Sequence, residues 1–560
     1  MYLMENPVLQ RELLVNLRML RAFVLLFCYV ALLGLLVYVA WPSQQRLDLT
    51  AKPKEATQLV NLFFLGQYVL MSLMAPSFAA GTISGEKERK TYEMLLASPM
   101  RPGAIVLGKL LASLCHLAVL GFCSLPIVML CLPLGGVSPW EVLATYAAMA
   151  ASALLFASVS VAASSYFHRT IAALVVSYLV ILPAALIGVL LYNALETAPQ
   201  ARLVMLLAIV PAACLATALW LLAATSRRLL HPPDVGAEAQ EVVDPESEQE
   251  NSMGLVIRGE HFPDRLFTPR KRTDLLDDGV NPIFDKEMRS EIFGQGTLML
   301  RVVIQVSMAL AVPLMAACLY MWPKLAAWYA GYVLLFNMLV GPVFSAGSVT
   351  SERERQTLDL LLTTPLSAGQ ILSGKLWSSL RISCVLTSFL IWPLLLAWFL
   401  PPWTYWPDSK TMAGYLAIIA ISSVTTTVIA LFCSVFFRKT SAAMTTAYLA
   451  IALLFAAPLA VEFFTTLFFP DASLARHIVQ GTFTSPFAAV AALPLTLGEI
   501  TPSRAPLGGW GVSLAFTGFY GCLDLLLLGV MIWLFNVRWR GGKDKEKGRQ
   551  GDKETGGKSG

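Results

Sequence analysis

The residues that could do chemistry are concentrated in two charged segments, 84–109 and 350–375, of an otherwise apolar chain. The two segments align without a gap, and eleven of their 26 positions are identical. The positions of most interest are Glu86/Glu352, Glu88/Glu354, Arg89/Arg355, Thr91/Thr357, Glu93/Asp359 and Pro99/Pro365. This repetition indicates that the chain holds two versions of one unit, and that each unit contacts something other than lipid at its charged segment.

Each charged segment ends in the pattern GxxxxGK, at 103–109 and 369–375, which matches the start of a phosphate-binding loop. A leucine follows each lysine, at Leu110 and Leu376, where such a loop needs a serine or threonine to hold magnesium. No strand pattern precedes either copy, and both continue directly into an apolar run. We therefore interpret the pattern as a flexible entry to a membrane span, with the lysine anchored at the inner membrane interface.

Other catalytic or metal-binding patterns do not occur in the sequence. The five histidines are scattered, with neither HExxH nor a Cys/His spacing for zinc. The sequence therefore predicts no active site, no metal site and no bound cofactor. Within the predicted membrane spans, Arg381 and Asp524 form a candidate polar site, because charge inside a membrane is costly. Asp524 either relays protons, or packs against a partner helix or lines a polar cavity.

The spacing of apolar residues predicts a short amphipathic helix within each charged segment, over 84–99 and 350–365. In the first copy the residues at i, i+3, i+4 and i+7 are Tyr92, Leu95, Leu96 and Pro99. Ser351 and Glu354 have capping-box spacing, which predicts that the second helix begins there. We expect a helix of about three turns in each copy, ended by its proline.

The composition is that of a membrane protein. Of the 560 residues, 56% are hydrophobic and only 14% are charged, whereas soluble proteins carry about 25% charged residues. A bilayer span takes about 20 residues. Apolar runs of that order lie at 22–41, 59–83, 104–133, 140–167, 170–192, 202–225, 300–322, 326–349, 370–400, 413–437, 441–469 and 510–536. We predict an all-α polytopic membrane protein with about 12 transmembrane helices, arranged as two parallel six-helix repeats.

The distribution of basic residues predicts the orientation in the membrane. Lysine and arginine are concentrated near both termini, in both charged segments, in the middle of the chain and in two similar short turns at 167–170 and 437–440. The positive-inside rule therefore places both charged segments and both termini in the cytoplasm. The sequences NPVLQRELLVNLR at 6–18 and NPIFDKEMRSEIF at 281–293 resemble each other. We interpret them as amphipathic entry helices, and the mid-chain copy argues against a signal peptide at the start.

These features divide the chain into four parts. They are a first six-span unit (1–226), an acidic and partly disordered cytoplasmic linker (227–280), a second six-span unit (281–540) and a disordered charged tail (541–560). The longest outer segment, 470–509, is expected to form short helices at the outer interface, and its counterpart at 193–201 is short. All nine cysteines fall in apolar runs, which does not fit an extracytoplasmic disulfide framework.

The stretch EKERKTYEMLLASP at 86–99, followed by Gly108 and Lys109, resembles the signature of ABC-2 type transporter permeases. Residues 352–375 match it again, and the entry helices and six spans per unit fit the same family. The family usually has glycine before the threonine, where this chain has Lys90 and Gln356. Its members are often single six-span units that dimerise, whereas this chain resembles two such units of a type V exporter-like permease fused together.

The resemblance implies the permease of an ATP-binding cassette exporter in the cell inner membrane. Segments 84–99 and 350–365 are then coupling helices that dock on separate ATPase subunits, one for each unit. The residues expected at the junction are Glu86, Glu88, Arg89, Thr91, Glu93 and Pro99, together with Glu352, Glu354, Arg355, Thr357, Asp359 and Pro365. The partners bind the ATP, so the chain itself is expected to be no enzyme and to hold no cofactor. Membrane lipid is the other expected partner, and nucleic acid is not expected.

Two other functions remain open on the residues alone. A secondary transporter of six plus six spans would also have parallel halves, but it needs ion or proton sites near the midplane, where charge is sparse here. A membrane scaffold that anchors an ATPase-linked complex without exporting anything is the third interpretation. The apolar spans suit a lipid, a lipid-linked sugar, a drug or a peptide equally, so the sequence does not identify a substrate.

Overall fold

The computed structural model describes residues 7–17, 27, 31, 53–88, 90–131, 138–167, 170–195, 198–230, 281–289, 305, 309, 311–322, 325–354, 356–399, 405–468, 481–495 and 508–537. All regular elements within these residues are helices. The chain divides into two compact units, Met1–Val256 (unit 1) and Ile257–Gly560 (unit 2). Most of the predicted linker and the whole predicted tail lie outside the described residues, so their boundaries stay predictions.

The helices of unit 1 are α1 (Pro7–Leu17), α2 (Pro53–Ala79), α3 (Gly81–Glu88), α4 (Tyr92–Leu96), α5 (Pro102–Cys131), α6 (Pro139–Tyr166), α7 (Thr170–Ala194), α8 (Pro199–Val204) and α9 (Val210–Leu230). A π-helical turn, Met205–Ile209, joins α8 to α9. Helices α5, α6 and α8 each begin with a proline, whose missing N–H costs no hydrogen bond at that position. Ser138 and Glu141 form a capping box that fixes the start of α6.

The helices of unit 2 are α10 (Pro282–Arg289), α11 (Ala326–Ala346), α12 (Thr350–Glu354), α13 (Leu358–Thr363), α14 (Ala368–Phe399), α15 (Ser409–Phe436), α16 (Thr440–Phe455), α17 (Ala457–Phe468), α18 (Pro486–Ala492) and α19 (Gly508–Phe535). A π-helical turn, Ala316–Met321, precedes α11, and a 3₁₀ turn, Thr482–Thr484, precedes α18. From α10 to α16, the order of long and short helices is the same as from α1 to α7 in unit 1.

Nine helices of the described residues are long and apolar enough to cross a membrane. They are Phe63–Glu88, Pro102–Pro126, Pro139–Tyr166, Ala172–Ala194, Pro199–Leu229, Ala326–Glu354, Ala368–Phe399, Ser409–Phe436 and Trp510–Phe535. The prediction of an all-α polytopic membrane protein is thereby confirmed. Of the other predicted spans, 22–41 lies almost wholly and 300–322 partly outside the described residues. The span predicted at 441–469 is described as two helices that meet at Ala456. The count of twelve stays a prediction.

Each charged segment packs an apolar face onto the core of its own unit. In unit 1, Tyr92 and Leu96 pack against a buried cluster that includes Ile83. In unit 2, Leu358 and Leu361 are themselves buried members of the corresponding cluster. These residues of each predicted face are therefore confirmed as inward-facing. Pro99 and Pro365, which helical spacing placed on the same faces, are exposed instead.

The charged segments differ from the prediction in their helical structure. Each forms two short helices instead of one helix of three turns, because residues 89–91 separate α3 from α4 and residues 355–357 separate α12 from α13. The capping box predicted at Ser351 is wrong as well. Helix α12 begins at Thr350, and the carboxylate of Glu354 forms its hydrogen bonds with a different helix.

Candidate functional site

A residue with left-handed backbone conformation separates the two short helices of each unit. Lys90 has φ of 57° and Gln356 has φ of 59°, a conformation that costs a residue with a side chain about 1–2 kcal/mol. These are the two positions at which the resemblance leads one to expect glycine, which adopts positive φ without that cost. Other contacts must therefore hold the turn in each unit.

The shared glutamate and threonine supply those contacts. In unit 1, the Thr91 N–H donates to the carbonyl oxygen of Glu86 at 3.0 Å, and the Thr91 hydroxyl donates to the Glu86 carboxylate. In unit 2, the Thr357 N–H donates to the carbonyl oxygen of Glu352 at 2.9 Å, and the Thr357 hydroxyl donates to the Glu352 carboxylate. The glutamate and the threonine thus stabilise the left-handed turn in each unit.

A buried lysine joins this turn to the entry helix of unit 1. The Lys109 side chain is 2% exposed, and its Nζ lies 2.6 Å from the carbonyl oxygen of Thr82. The same Nζ lies 3.4 Å from Glu12 Oε1 and 3.5 Å from Glu86 Oε1. One ammonium group therefore connects α1, α3 and α5.

Unit 2 has the same arrangement with a closer ion pair. Lys375 is 1% exposed and donates to the carbonyl oxygen of Ser348 at 2.7 Å and to Glu287 Oε1 at 2.6 Å. Glu352 Oε1 lies 3.7 Å from Lys375 Nζ and 2.7 Å from Nζ of the more exposed Lys286. The buried cation therefore connects α10, the segment before α12, and α14.

These contacts change the interpretation of both GxxxxGK patterns. Residues 103–109 and 369–375 lie within α5 and α14 from their first turns, so neither forms a phosphate-binding loop. The predicted position of the two lysines at the inner membrane interface stays a prediction, but their ammonium groups are buried and paired within the protein. Carboxylates and a backbone carbonyl draw each ammonium group into the protein, where a buried charge has to be paired and hydrogen-bonded.

The second shared glutamate caps the next membrane helix. Glu88 Oε1 accepts the backbone N–H of Thr170, the first residue of α7, at 2.8 Å. Glu354 Oε1 accepts the N–H of Thr440, the first residue of α16, at 2.9 Å, and Glu354 Oε2 accepts its hydroxyl at 2.8 Å. A carboxylate at a helix N-terminus pairs an N–H that the helix leaves unsatisfied and interacts favourably with the helix dipole. The charged segment is thereby attached to α7 or α16.

Two serines that were not predicted fix the other end of the same segments. The Ser164 hydroxyl accepts the Ser84 N–H at 2.8 Å, and the Ser434 hydroxyl accepts the Thr350 N–H at 3.1 Å. Both serines lie near the end of a long helix, α6 or α15. The similar turns at 167–170 and 437–440, which follow these helices, were the sequence signal for this region.

A basic residue adds a further contact of the same kind in each unit. Lys87 Nζ donates to the carbonyl oxygen of Ser165 at 2.8 Å. Arg353 donates through its guanidinium to the carbonyl oxygen of Phe437. Both contacts join the charged segment to the C-terminal end of α6 or α15, and this matching position explains why a cation is present at both places.

A set of exposed residues lies on and after α4 and α13 in the two charged segments. We call Glu93, Met94 and Pro99 the exposed face of unit 1, and Asp359, Leu360 and Pro365 the exposed face of unit 2. Met94 is 75% exposed and Leu360 is 69% exposed. The two apolar residues were not predicted as site residues, although the gapless alignment of the segments pairs them. Arg89 and Arg355, which were predicted as site residues, lie outside the described residues.

A family model described as "ABC-2 family transporter protein" matches the chain at residues 7–228 and again at 236–537. This chain belongs to the ABC-2 transporter family. The two matches are consistent with two ABC-2 permease units fused in one chain. No curated protein and no solved structure matches the chain.

Membership of the ABC-2 family establishes the function in general terms. The chain is a multi-pass transmembrane permease component of an ABC transporter, which is a transport protein and not an enzyme by itself. ABC-2 permeases work with ATPase partner subunits. The family assignment favours this interpretation over a secondary transporter.

The candidate polar site in the spans of this ABC-2 permease lies in unit 2. Asp524 is 7% exposed in α19, and Thr425 of α15 donates its hydroxyl to Asp524 Oδ2 at 2.9 Å. Its other oxygen, Oδ1, has no hydrogen-bond partner among the described residues. Arg381 lies exposed on α14. Packing of Asp524 against a neighbouring helix is therefore observed, and a proton relay stays a prediction.

Proposed function

We propose that this ABC-2 permease is the membrane component of an exporter in the cell inner membrane, with ATPase subunits docked on segments 84–99 and 350–365 from the cytoplasm. The exposed face of each unit makes the contact. The observation that supports this most is the recurrence of one exposed apolar side chain next to an exposed carboxylate in both units. Two such faces favour two ATPase subunits, one for each unit.

The shared charges have two different tasks in this proposal. Glu86 and Glu352 hold the left-handed turns, and Glu88 and Glu354 cap the next membrane helix. Their carboxylates are engaged within the chain, so the ATPase contact is made mainly by the exposed faces. An amphipathic helix commonly docks by laying its apolar side chains into a hydrophobic groove of the partner.

The same contacts supply a route for force from the ATPase into the membrane. When the ATPase subunits close on ATP, they displace α4 and α13. The buried lysine and the capping glutamate attach each segment to an entry helix and to two membrane helices. When the segment is displaced, the attached helices therefore move with it as one unit. This movement changes access to the substrate path.

Co-purification tests the docking. The tagged chain is isolated from its host in detergent, and the ATPase bound per permease is measured by quantitative mass spectrometry. The double variant Met94→Asp, Leu360→Asp is expected to lose at least about tenfold of the bound ATPase, as for removal of a dominant interface anchor. The control variant Met94→Leu, Leu360→Met keeps both exposed faces apolar and is expected to retain the bound ATPase. Equal ATPase binding by all three proteins, with unchanged gel-filtration profiles, would overturn the docking proposal.

A further inference from the structure

Unit 1 contains a small cavity at the end opposite to its charged segment. Its volume is about 70 Å³, and its lining includes Asn61, Phe64, Glu141, Tyr192, Arg202 and Leu206. Along α6, Glu141 is about 35 Å from Ser164, which contacts α3, and this distance is close to the thickness of the hydrocarbon core. Trp140, next to Glu141, is 70% exposed, as is typical of tryptophan at a membrane interface. The cavity therefore lies at headgroup level on the other membrane face.

The cavity carries one charge of each sign, in a long ion pair. Arg202 Nη2 lies 3.9 Å from Glu141 Oε1, which is well beyond the roughly 2.7–2.9 Å of a charge-assisted hydrogen bond. The guanidinium lies instead over the Tyr192 ring, 4.8 Å from its centroid. The Tyr192 hydroxyl donates to Asn61 Oδ1 at 2.9 Å, which fixes the ring. The arginine is therefore held in a fixed position close to a carboxylate. Together they can bind a ligand that carries one negative and one positive charge.

The equivalent position in unit 2 is filled by the chain itself. With Phe167 and Phe437 taken as equivalent, Glu141 corresponds to Thr411, and the Thr411 hydroxyl donates to the carbonyl oxygen of Pro494 at 2.6 Å. Leu493 is 1% exposed. A Cβ added at Gly414 would lie 2.9 Å from Leu493 Cδ1, so the leucine packs directly on the backbone of α15.

This packing gives a structural reason for the unequal outer segments. The described part of the long segment in unit 2, residues 481–495, packs against the starts of α11 and α15. In unit 1, α7 is followed after a few residues by α8, which brings Arg202 to the same region instead of a covering helix. The chain therefore closes this crevice in unit 2 and leaves a polar cavity in unit 1.

We propose that the cavity of unit 1 binds the zwitterionic headgroup of a phospholipid, with the phosphate on Arg202 and the ammonium group on Glu141. The planar guanidinium matches a phosphate, and a carboxylate next to it selects a headgroup that also carries a positive charge. Phe64 and Leu206 line the apolar wall. Leu207 and Ile209, both exposed beyond Arg202, form a path for the acyl chain towards the bilayer. This site does not depend on ATPase docking.

Lipid retention by the purified full-length chain tests the site. The detergent-solubilised protein is incubated with an equimolar mixture of phosphatidylethanolamine and phosphatidylglycerol of identical acyl chains, and retained lipid is measured by native mass spectrometry. The wild type is expected to retain phosphatidylethanolamine about tenfold better, because only this headgroup offers an ammonium to Glu141. Arg202→Gln is expected to lower retention of both lipids about tenfold, as for loss of one charged hydrogen bond.

Glu141→Gln is the sharper variant, because glutamine can still accept the Ser138 N–H and preserve the capping box. It is expected to remove the preference between the two lipids while the thermal midpoint stays the same. Lys410→Gln is the matched control, since it removes an exposed charge from the first turn of α15 in unit 2, and it is expected to change nothing. Equal retention of both lipids by the wild type, or an unchanged preference in Glu141→Gln, would overturn the proposal.

Soluble phosphoethanolamine distinguishes a lipid from a free phosphate compound. The lipid proposal predicts that equimolar phosphoethanolamine does not displace bound phosphatidylethanolamine, since the acyl chain contributes to binding. Displacement at equal concentration would assign the site to a soluble phosphate and overturn the lipid proposal.

Discussion

Lys375 Nζ lies 2.6 Å from Glu287 Oε1, and this ion pair joins membrane helix α14 to the entry helix α10. Lys109 and Glu12 form the equivalent contact in unit 1, at 3.4 Å. A buried ammonium group is costly unless its partners stay in place. The entry helix, the charged segment and the following membrane helix of each unit are therefore held together by a buried ion pair.

The first prediction concerns this buried cation. Lys375→Met is expected to lower the free energy of unfolding by about 3 kcal/mol, because removal of one partner of a buried pair leaves its carboxylates uncompensated. Unfolding of the detergent-solubilised protein measures the change. The control is Lys286→Met, whose side chain is 53% exposed although it also contacts Glu352, and its effect is expected to stay below about 1 kcal/mol. An equal decrease in the free energy of unfolding in both variants would contradict the idea that the buried lysine contributes more to stability than the exposed one.

The left-handed turns give a second prediction. Lys90→Gly and Gln356→Gly are each expected to raise the free energy of unfolding by about 0.5–1 kcal/mol. This is the cost of positive φ, reduced by the backbone entropy that glycine loses on folding. Ala97→Gly is the control, because Ala97 has φ of −69°, and glycine there is expected to destabilise. A loss of stability in all three variants would mean that the positive φ of Lys90 and Gln356 does not destabilise the native protein.

The third prediction separates force transmission from docking. The double variant Glu88→Lys, Glu354→Lys places a positive charge at the N-termini of α7 and α16, where the helix dipole disfavours it by about 0.3–1 kcal/mol per site. The exposed faces are unchanged, so the ATPase subunits are expected to remain bound. Hydrogen exchange at the start of α16 is expected to change on addition of ATP and vanadate in the wild type, and to respond less in the variant.

A control for this experiment keeps the hydrogen bonds and removes only the charge. Glu88→Gln with Glu354→Gln retains an acceptor for the N–H groups of Thr170 and Thr440, so its exchange response is expected to resemble that of the wild type. If the lysine variant shows the full response to ATP and vanadate while hydrolysis and transport continue at normal rates, these glutamates do not carry the coupling.

Local sequence signals predicted the position of the charged segments and their inward faces. Apolar spacing identified Leu96 and Leu361 correctly as inward-facing, because the helical pattern that reveals them involves only positions within two turns. The break between the short helices was missed, since neither Lys90 nor Gln356 favours a left-handed conformation. The turn is held by a glutamate and a threonine five positions apart, and this spacing is not one of the i, i+3 and i, i+4 pairs that a helical pattern reveals.

The burial of the lysines was missed for a different reason. Lys109 and Glu12 are 97 residues apart in the chain, and Lys375 and Glu287 are 88 residues apart. Such pairs leave no periodic pattern in a single sequence. A usable signal was nevertheless present, because Glu12 and Glu287 occupy the same place in the two similar entry sequences, as the two lysines do in the charged segments.

The orientation of the charged segments is the last prediction. Glu93→Cys lies on the exposed face of unit 1, and Ser138→Cys lies exposed at the start of α6, at the opposite end of that unit. In sealed right-side-out vesicles, a membrane-impermeant maleimide is expected to label Ser138→Cys at once and Glu93→Cys only after permeabilisation. The unsubstituted chain reports labelling of its own cysteines, all of which fall in apolar runs. Because an ATPase in the cytoplasm cannot reach a segment on the outer face, labelling of Glu93→Cys in intact vesicles would eliminate ATPase docking at this site.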